Sequence, residues 1–158
     1  MPLADAPIAT LTICFSLASN ASELGALDQA GRRVAEHPCA KPTITTKVEK
    51  NIHDELVTDR YISKRCPRAG SEIVRSSLSQ YKLSIPLFAS VTGPDSRVPS
   101  PFQIGARITS VKNRLGLPEV EKNDSITYLL PSETREERVS FLHDGTRVVG
   151  IQWSWYFD

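Results

Sequence analysis

Very little in this chain is of a kind that announces a chemistry. Its 158 residues hold only three cysteines, three histidines, one methionine and two tryptophans. There is no Cys-x-x-Cys and no histidine pair at ligand spacing, so a zinc site has no donor set to start from. A Walker motif and Gly-x-Gly-x-x-Gly are both missing, which leaves nucleotide binding without its phosphate cradle. No Gly-x-Ser-x-Gly marks a serine nucleophile. Charge of one sign is missing as well: 19 basic against 18 acidic residues leave a net +1, which gives no footprint for nucleic acid or an anionic membrane. No cofactor is expected. The longest uncharged apolar run, Ile8 to Ala18, is too short to span a bilayer.

What is present is ordinary globular material. The length suits one domain or two very small ones, with 40% hydrophobic and 23% charged residues. Eleven prolines, placed where strands would end, favour a β-rich chain with irregular connections.

The N-terminus carries the first compartment signal. The run Ile8–Ala18 followed by Ser19-Asn20-Ala21 has the apolar core and small residues of a secretory signal, with Ser16-x-Ala18 or Ser19-x-Ala21 as cleavage sites. It departs from the usual pattern, because the first basic residue is Arg32 and no basic segment precedes the core. Residues 1–21 are therefore read as a degenerate signal segment, against a buried N-terminal strand or a tail. A lipobox at Leu11-Thr12-Ile13-Cys14 is disfavoured by bulky Ile13. Cys39 and Cys66, each beside a proline, fit one disulfide in an oxidising compartment, against two free thiols. The expected location is periplasmic or secreted, in a bacterium.

Ser22 to Glu36 reads as a helix with Ser22 as N-cap, and Leu24, Leu27 and Val34 at helical spacing; Gly31 weakens it and Pro38 stops it. Strands are expected at Thr43–Val48, Val57–Cys66, Ser71–Ser77 and Lys82–Thr92. Arg68–Gly70 is read as a turn, and Pro86 as the mark of an edge or a bulge. Residues 22–92 form an N-terminal half. Gly93–Pro101, with three prolines in nine residues, is the connector, and 102–158 is the second half. There Ile108, Val111, Leu115 and Leu117 line a helix, with Thr109 or Ser110 near its start and Gly116-x-Pro118 as its stop. Strands follow at Ser125–Leu130, Glu136–Leu142 and Thr146–Phe157, the last two joined at His143-Asp144-Gly145. Val149, Ile151, Trp153 and Trp155 alternate with Gly150, Gln152, Ser154 and Tyr156, giving a core face and a polar one.

The halves echo each other. Leu24-Gly25-Ala26 begins fourteen residues before Pro38, as Ile104-Gly105-Ala106 does before Pro118, and Gly70–Arg75 looks like Gly145–Gly150. The fold class is thus α+β, short helices on an antiparallel sheet, with a duplicated α-β-β-β unit against an unrelated first half.

The string Ile104-Gly105 … Val111 … Leu115-Gly116-x-Pro118 … Tyr128 … Val139-x-Phe141 … Gly145-x-Arg147-Val148 … Ile151 resembles the SmpA/OmlA (BamE-like) family of envelope proteins. The resemblance covers the C-terminal third and implies short helices on a three-stranded antiparallel sheet, an envelope location and a protein partner. The same layout twice over is similar to the tandem architecture of β-lactamase inhibitory protein.

Candidate chemistry is thin. His53-Asp54 and His143-Asp144 are adjacent pairs, whose members point apart on a strand, and Asp144 has turn chemistry to explain it. His37 and Cys39 are two apart and share a strand face, the arrangement of a base and a thiol nucleophile, though a structural disulfide competes for the sulfur. Glu133–Arg138 reads as a solvated charged loop. The leading expectation is a non-enzymatic binder of another envelope protein, an assembly accessory or an inhibitor or immunity-type protein. Its sheet face would centre on Gln152, Ser154 and Tyr156. The competing readings are a small hydrolase on a His/Asp or Cys/His arrangement, and a purely structural domain.

Overall fold

The computed structural model describes residues 14–51, 53–77, 84–133 and 136–155. The fold is α+β. Two helices, α1 (Cys14–Glu36) and α2 (Ile108–Leu115), pack on an eight-stranded antiparallel sheet. Its strands are β1 (Thr43–Lys50), β2 (Thr58–Arg65), β3 (Ala69–Ser76), β4 (Ile85–Val91), β5 (Val120–Glu121), β6 (Ser125–Leu129), β7 (Arg138–His143) and β8 (Val148–Ser154). In space they run β1-β2-β3-β4-β8-β7-β6-β5. Each half is a helix followed by a four-strand meander, and the halves meet where their last strands pair, β4 against β8.

Both helices lie on one face. Leu27, Ala30, Val34 and Ala35 of α1 and Ile108, Val111 and Leu115 of α2 share a core with Ile73, Ala89, Val91, Ile126, Val139, Phe141, Ile151, Trp153 and Trp155. Trp153 Nε1 donates to Leu27 O at 2.9 Å and Trp155 Nε1 to Asp28 Oδ1 at 2.9 Å. The two indoles therefore enter the core with their polar edges satisfied, as buried tryptophan requires. Cys39 and Cys66 form the expected disulfide, with Cα atoms 6.2 Å apart.

Several sequence expectations are corrected. Helix α1 begins at Cys14, not Ser22, so Ser22 is an exposed mid-helix residue rather than a cap. No proline or glycine interrupts residues 14–24, and the helix runs back through the second part of the expected signal segment; residues 1–13 lie outside the described residues. Gly70 is a residue of β3, and the turn before it lies at Cys66–Arg68. Thr109 and Ser110 do lie in the first turn of α2, but the N-cap position falls one residue before the helix. Arg107 occupies that position without a side-chain bond, and Ile108 N donates instead to Thr146 O of the hairpin. Leu117 does not join the helical stripe: Gly116, at φ 81°, turns the chain outward and leaves Leu117 96% exposed. A two-residue strand, β5, was not expected.

Along β8 and just past its end the inward set is Val148, Ile151, Trp153 and Trp155, while Val149 is exposed. A register shift between Leu142 and His143 breaks the alternation there. Pro86 sits beside another shift, opposite Ile73 and beyond the part of β4 that pairs with β8, where no ladder donor is needed. The echo of Gly70–Arg75 in Gly145–Gly150 joins unlike elements, since the first lies in the third strand of its half and the second in the fourth. The helix stops do correspond, at Glu36 and Leu115.

The 93–101 segment is anchored rather than loose. Val98 is buried, as is Phe102 just beyond the segment, and Phe102 stacks obliquely on Phe141 at 6.1 Å. Arg97 pairs with Asp95 and donates to the carbonyls of Arg33, His37 and Pro38, tying the segment to the end of α1.

Candidate functional site: the uncovered sheet face

Cross-strand partners share a face of an antiparallel sheet. Trp153, Ala89 and Ser71 are partners in register and look toward α1, where Ser71 Oγ donates to Ala35 O at 2.8 Å. Their chain neighbours therefore look the other way, and among the described residues no helix lies over them. One row of this second face runs Thr45, Ser63, Glu72, Phe88, Ser154, Arg138 and Leu129. The next runs Thr43, Arg65, Gly70, Ser90, Gln152, Ser140 and Thr127. Half of these residues are serine or threonine, and the cross-strand partners Thr127 and Ser140 hydrogen-bond within the second row at 2.8 Å.

Two shallow grooves mark the half of this face built by β1–β4. One, of about 440 Å³, opens where Gly70 leaves the surface without a side chain, bounded by Ser63, Arg65, Glu72, Phe88 and Ser90. The other, of about 370 Å³, lies over Thr45, Lys47, Glu49, Tyr61, Ser63 and Glu72. Glu72 and Ser63 line both. Glu72 is half-buried, and no hydrogen bond or ion pair holds its carboxylate among the described residues. Its charge joins those of Asp59 and Glu49 in raising the Tyr61 hydroxyl above its ordinary pKa, though burial is the larger cause. Phe88, 36% exposed, supplies the apolar wall.

Gln152 and Ser154 do lie on this face, as cross-strand partners of Ser90 and Phe88 at the edge of the first groove. Tyr156 lies outside the described residues. Alternation alone places Gln152 and Ser154 on this face. Glu72 and Phe88 had no such signal, because only the order β3-β4-β8 brings them beside β8.

Among the described residues, the alternative catalytic groups are engaged in the fold. Cys39 is held in its disulfide, so its sulfur is not a free nucleophile for His37. His143 Nδ1 accepts from Gly145 N at 3.1 Å, and Asp144 Oδ1 accepts from Thr146 N and Arg147 N at 2.9 and 2.8 Å. These bonds hold the Asp144 carboxyl below its ordinary pKa and make the pair part of the hairpin. Asn51 Oδ1 accepts from His53 N and Asp54 N, so the other His-Asp pair also sits in a side-chain-closed turn. A cleft of about 450 Å³ on the helix side is lined by Arg32, Glu36, His37, Lys64 and Arg75. Its cations are engaged within the fold. Arg32 pairs with Asp28 and Glu137 and lies over the Trp155 ring, Lys64 donates to Glu36 O, and Arg75 donates to Ser84 Oγ. Of the charged run 133–138, Glu137 is thus a structural partner of Arg32, while 134 and 135 lie outside the described residues. Among the described residues no three His, Cys, Asp or Glu side chains gather as a metal site, and no helix is long and apolar enough to cross a membrane.

Comparison with family models, with curated proteins and with solved structures finds no match to this chain.

Proposed function

We propose that this chain is an exported bacterial envelope protein that binds another protein on the uncovered face of its sheet, without catalysis of its own. The observation that carries this reading is Glu72, a half-buried carboxylate that no hydrogen bond or ion pair holds among the described residues, placed where two grooves meet beside exposed Phe88. Lys47 acts on Glu72 through its charge alone, and a cation from a partner docked in the grooves would give the carboxylate a direct charge-assisted bond. The surrounding serines, threonines and Gly70 form a low surface onto which a protruding loop fits. Phe88 would take the aliphatic stem of a lysine or arginine whose head reaches Glu72. The disulfide supports an oxidising compartment, in line with the expected export. The repeated order of helix and strand meander supports a tandem layout, with four strands in each half where the resemblance implies three.

The test is recovery of envelope proteins on immobilised chain, comparing the wild type with Glu72→Lys, Gln152→Lys and the off-face control Glu119→Lys. Loss of the same partner with the first two variants, and retention with the control, is the expected result. Equal recovery by all three, with unchanged circular dichroism, would remove the sheet face as the docking surface.

A further inference from the structure

The sheet has two unlike edges. At one end β5 is only two residues long, too short to template another strand. At the other, β1 is an eight-residue strand paired along its whole length with β2 and exposed at every position, with Ile44 57% and Val48 58% exposed. We propose that this edge joins a second copy of the chain, β1 to β1, making a continuous antiparallel sheet across a two-fold axis at Val48.

Backbone geometry sets which groups are free. Asn51 N donates to Val57 O, so the odd-numbered residues of β1 turn their amides and carbonyls toward β2. Ile44, Thr46, Val48 and Lys50 then present theirs to the open edge. A symmetric antiparallel pair places its axis on one residue, and the charges decide among the central choices. An axis at Lys47 sets lysine against lysine, and one at Glu49 sets glutamate against glutamate. An axis at Thr46 pairs no charges. An axis at Val48 sets Lys47 against the other copy's Glu49 twice, Val48 against itself and Thr46 against Lys50 twice. Opposite charges and β-branched pairs directly across strands are favourable, and like charges are not. Lys47 and Glu49 already lie together on one face of the strand, where they form an ion pair. The second copy turns that pair into a four-charge cluster of alternating sign. With a net charge of +1, no long-range repulsion opposes the approach.

Sedimentation of the full chain reads the proposal directly, with a mass twice the 17.5 kDa of one copy expected. Val48→Pro removes a donor that faces the open edge rather than β2, so the fold is kept while the dimer is lost. Lys47→Glu and Glu49→Lys, each made alone, set like charges opposite and return the monomer. The double swap Lys47→Glu/Glu49→Lys restores the dimer, which a merely structural role for either residue would not do. Val48→Cys, made with Cys14→Ser, cross-links under mild oxidation, because directly paired Cα atoms about 5.5 Å apart suit a disulfide. A monomeric wild type overturns the proposal. So does a dimer that survives both Val48→Pro and Lys47→Glu, or one in which Val48→Cys does not cross-link.

Discussion

Gly31 of α1 lies against the indole of Trp153 so closely that a Cβ at position 31 would stand 2.5 Å from the ring atoms Cδ1 and Cγ. The glycine that weakens the helix by propensity is what lets the helix reach the sheet. Gly31→Ala should therefore destabilise the protein, although alanine favours a helix by up to about 1 kcal/mol. Overpacking a closed core costs about 1–3 kcal/mol, and here the obstacle is a rigid ring whose Nε1 is held by Leu27 O. A net loss of about 1–2 kcal/mol in urea unfolding is expected. An unchanged or raised midpoint would show that the indole can move aside.

The Cys39–Cys66 bond closes a loop between residues 27 apart that runs from the end of α1 through β1 and β2. Constraint of the unfolded chain gives about 3–4 kcal/mol for such a loop. Replacing both cysteines by serine should lower unfolding stability by that amount. If the double variant matches the oxidised wild type, the loop is already restrained by other contacts.

Local chemistry explains most of what was legible beforehand. Gly116 stops a helix, Asp144-Gly145 closes a hairpin, and Trp153 and Trp155 alternate into a core because each choice depends on a few neighbouring residues. The failures share a different cause. Val148 replaces Val149 in the core because of a register shift that involves β7, and no reading of β8 alone contains it. Helix α1 is the local exception, because residues 14–24 hold no proline or glycine and nothing stops the helix at Ser22. Glu72 is one glutamate among many until β3 is placed between β2 and β4 with Gly70 beside it. Fold class follows from periodicity, whereas a binding face depends on which strands become neighbours.

Arg97 is a cross-brace whose removal should be felt in two ways. It pairs with Asp95 and donates to the carbonyls of Arg33, His37 and Pro38 at the end of α1. Arg97→Ala leaves these acceptors without their charged donor, and a loss of about 2 kcal/mol is expected. It should also change the acid limb. The guanidinium beside Asp95 holds that carboxyl below its ordinary 3.8. The resulting stability is fully present above pH 3.8 and is lost as pH falls through the lowered folded value. Unfolding midpoints measured from neutral pH down to about pH 2 should fall less steeply in Arg97→Ala than in the wild type. Parallel curves would mean that Asp95 gains nothing from Arg97.

Tyr128 should mark the alkaline side. Its hydroxyl donates to Gly116 O at 3.1 Å, joining β6 to the end of α2, and its ring meets Phe141 edge-on at 6.2 Å. Burial, with a smaller contribution from the Glu121 charge, pushes its pKa up to about 12 from 10.0. The folded state therefore holds the phenol proton more tightly than the unfolded state. The stability linked to that proton is complete below pH 10 and is lost as pH rises from there through about 12. Ultraviolet titration of tyrosinate should show a last step near pH 12 that belongs to Tyr128. Tyr128→Phe should remove that last step and flatten the alkaline fall in stability, while costing about 1 kcal/mol at neutral pH for the bond to Gly116. If the variant keeps the wild-type alkaline slope, the proton lost on unfolding belongs to another residue. The Tyr128–Gly116 contact would then be a packing contact only.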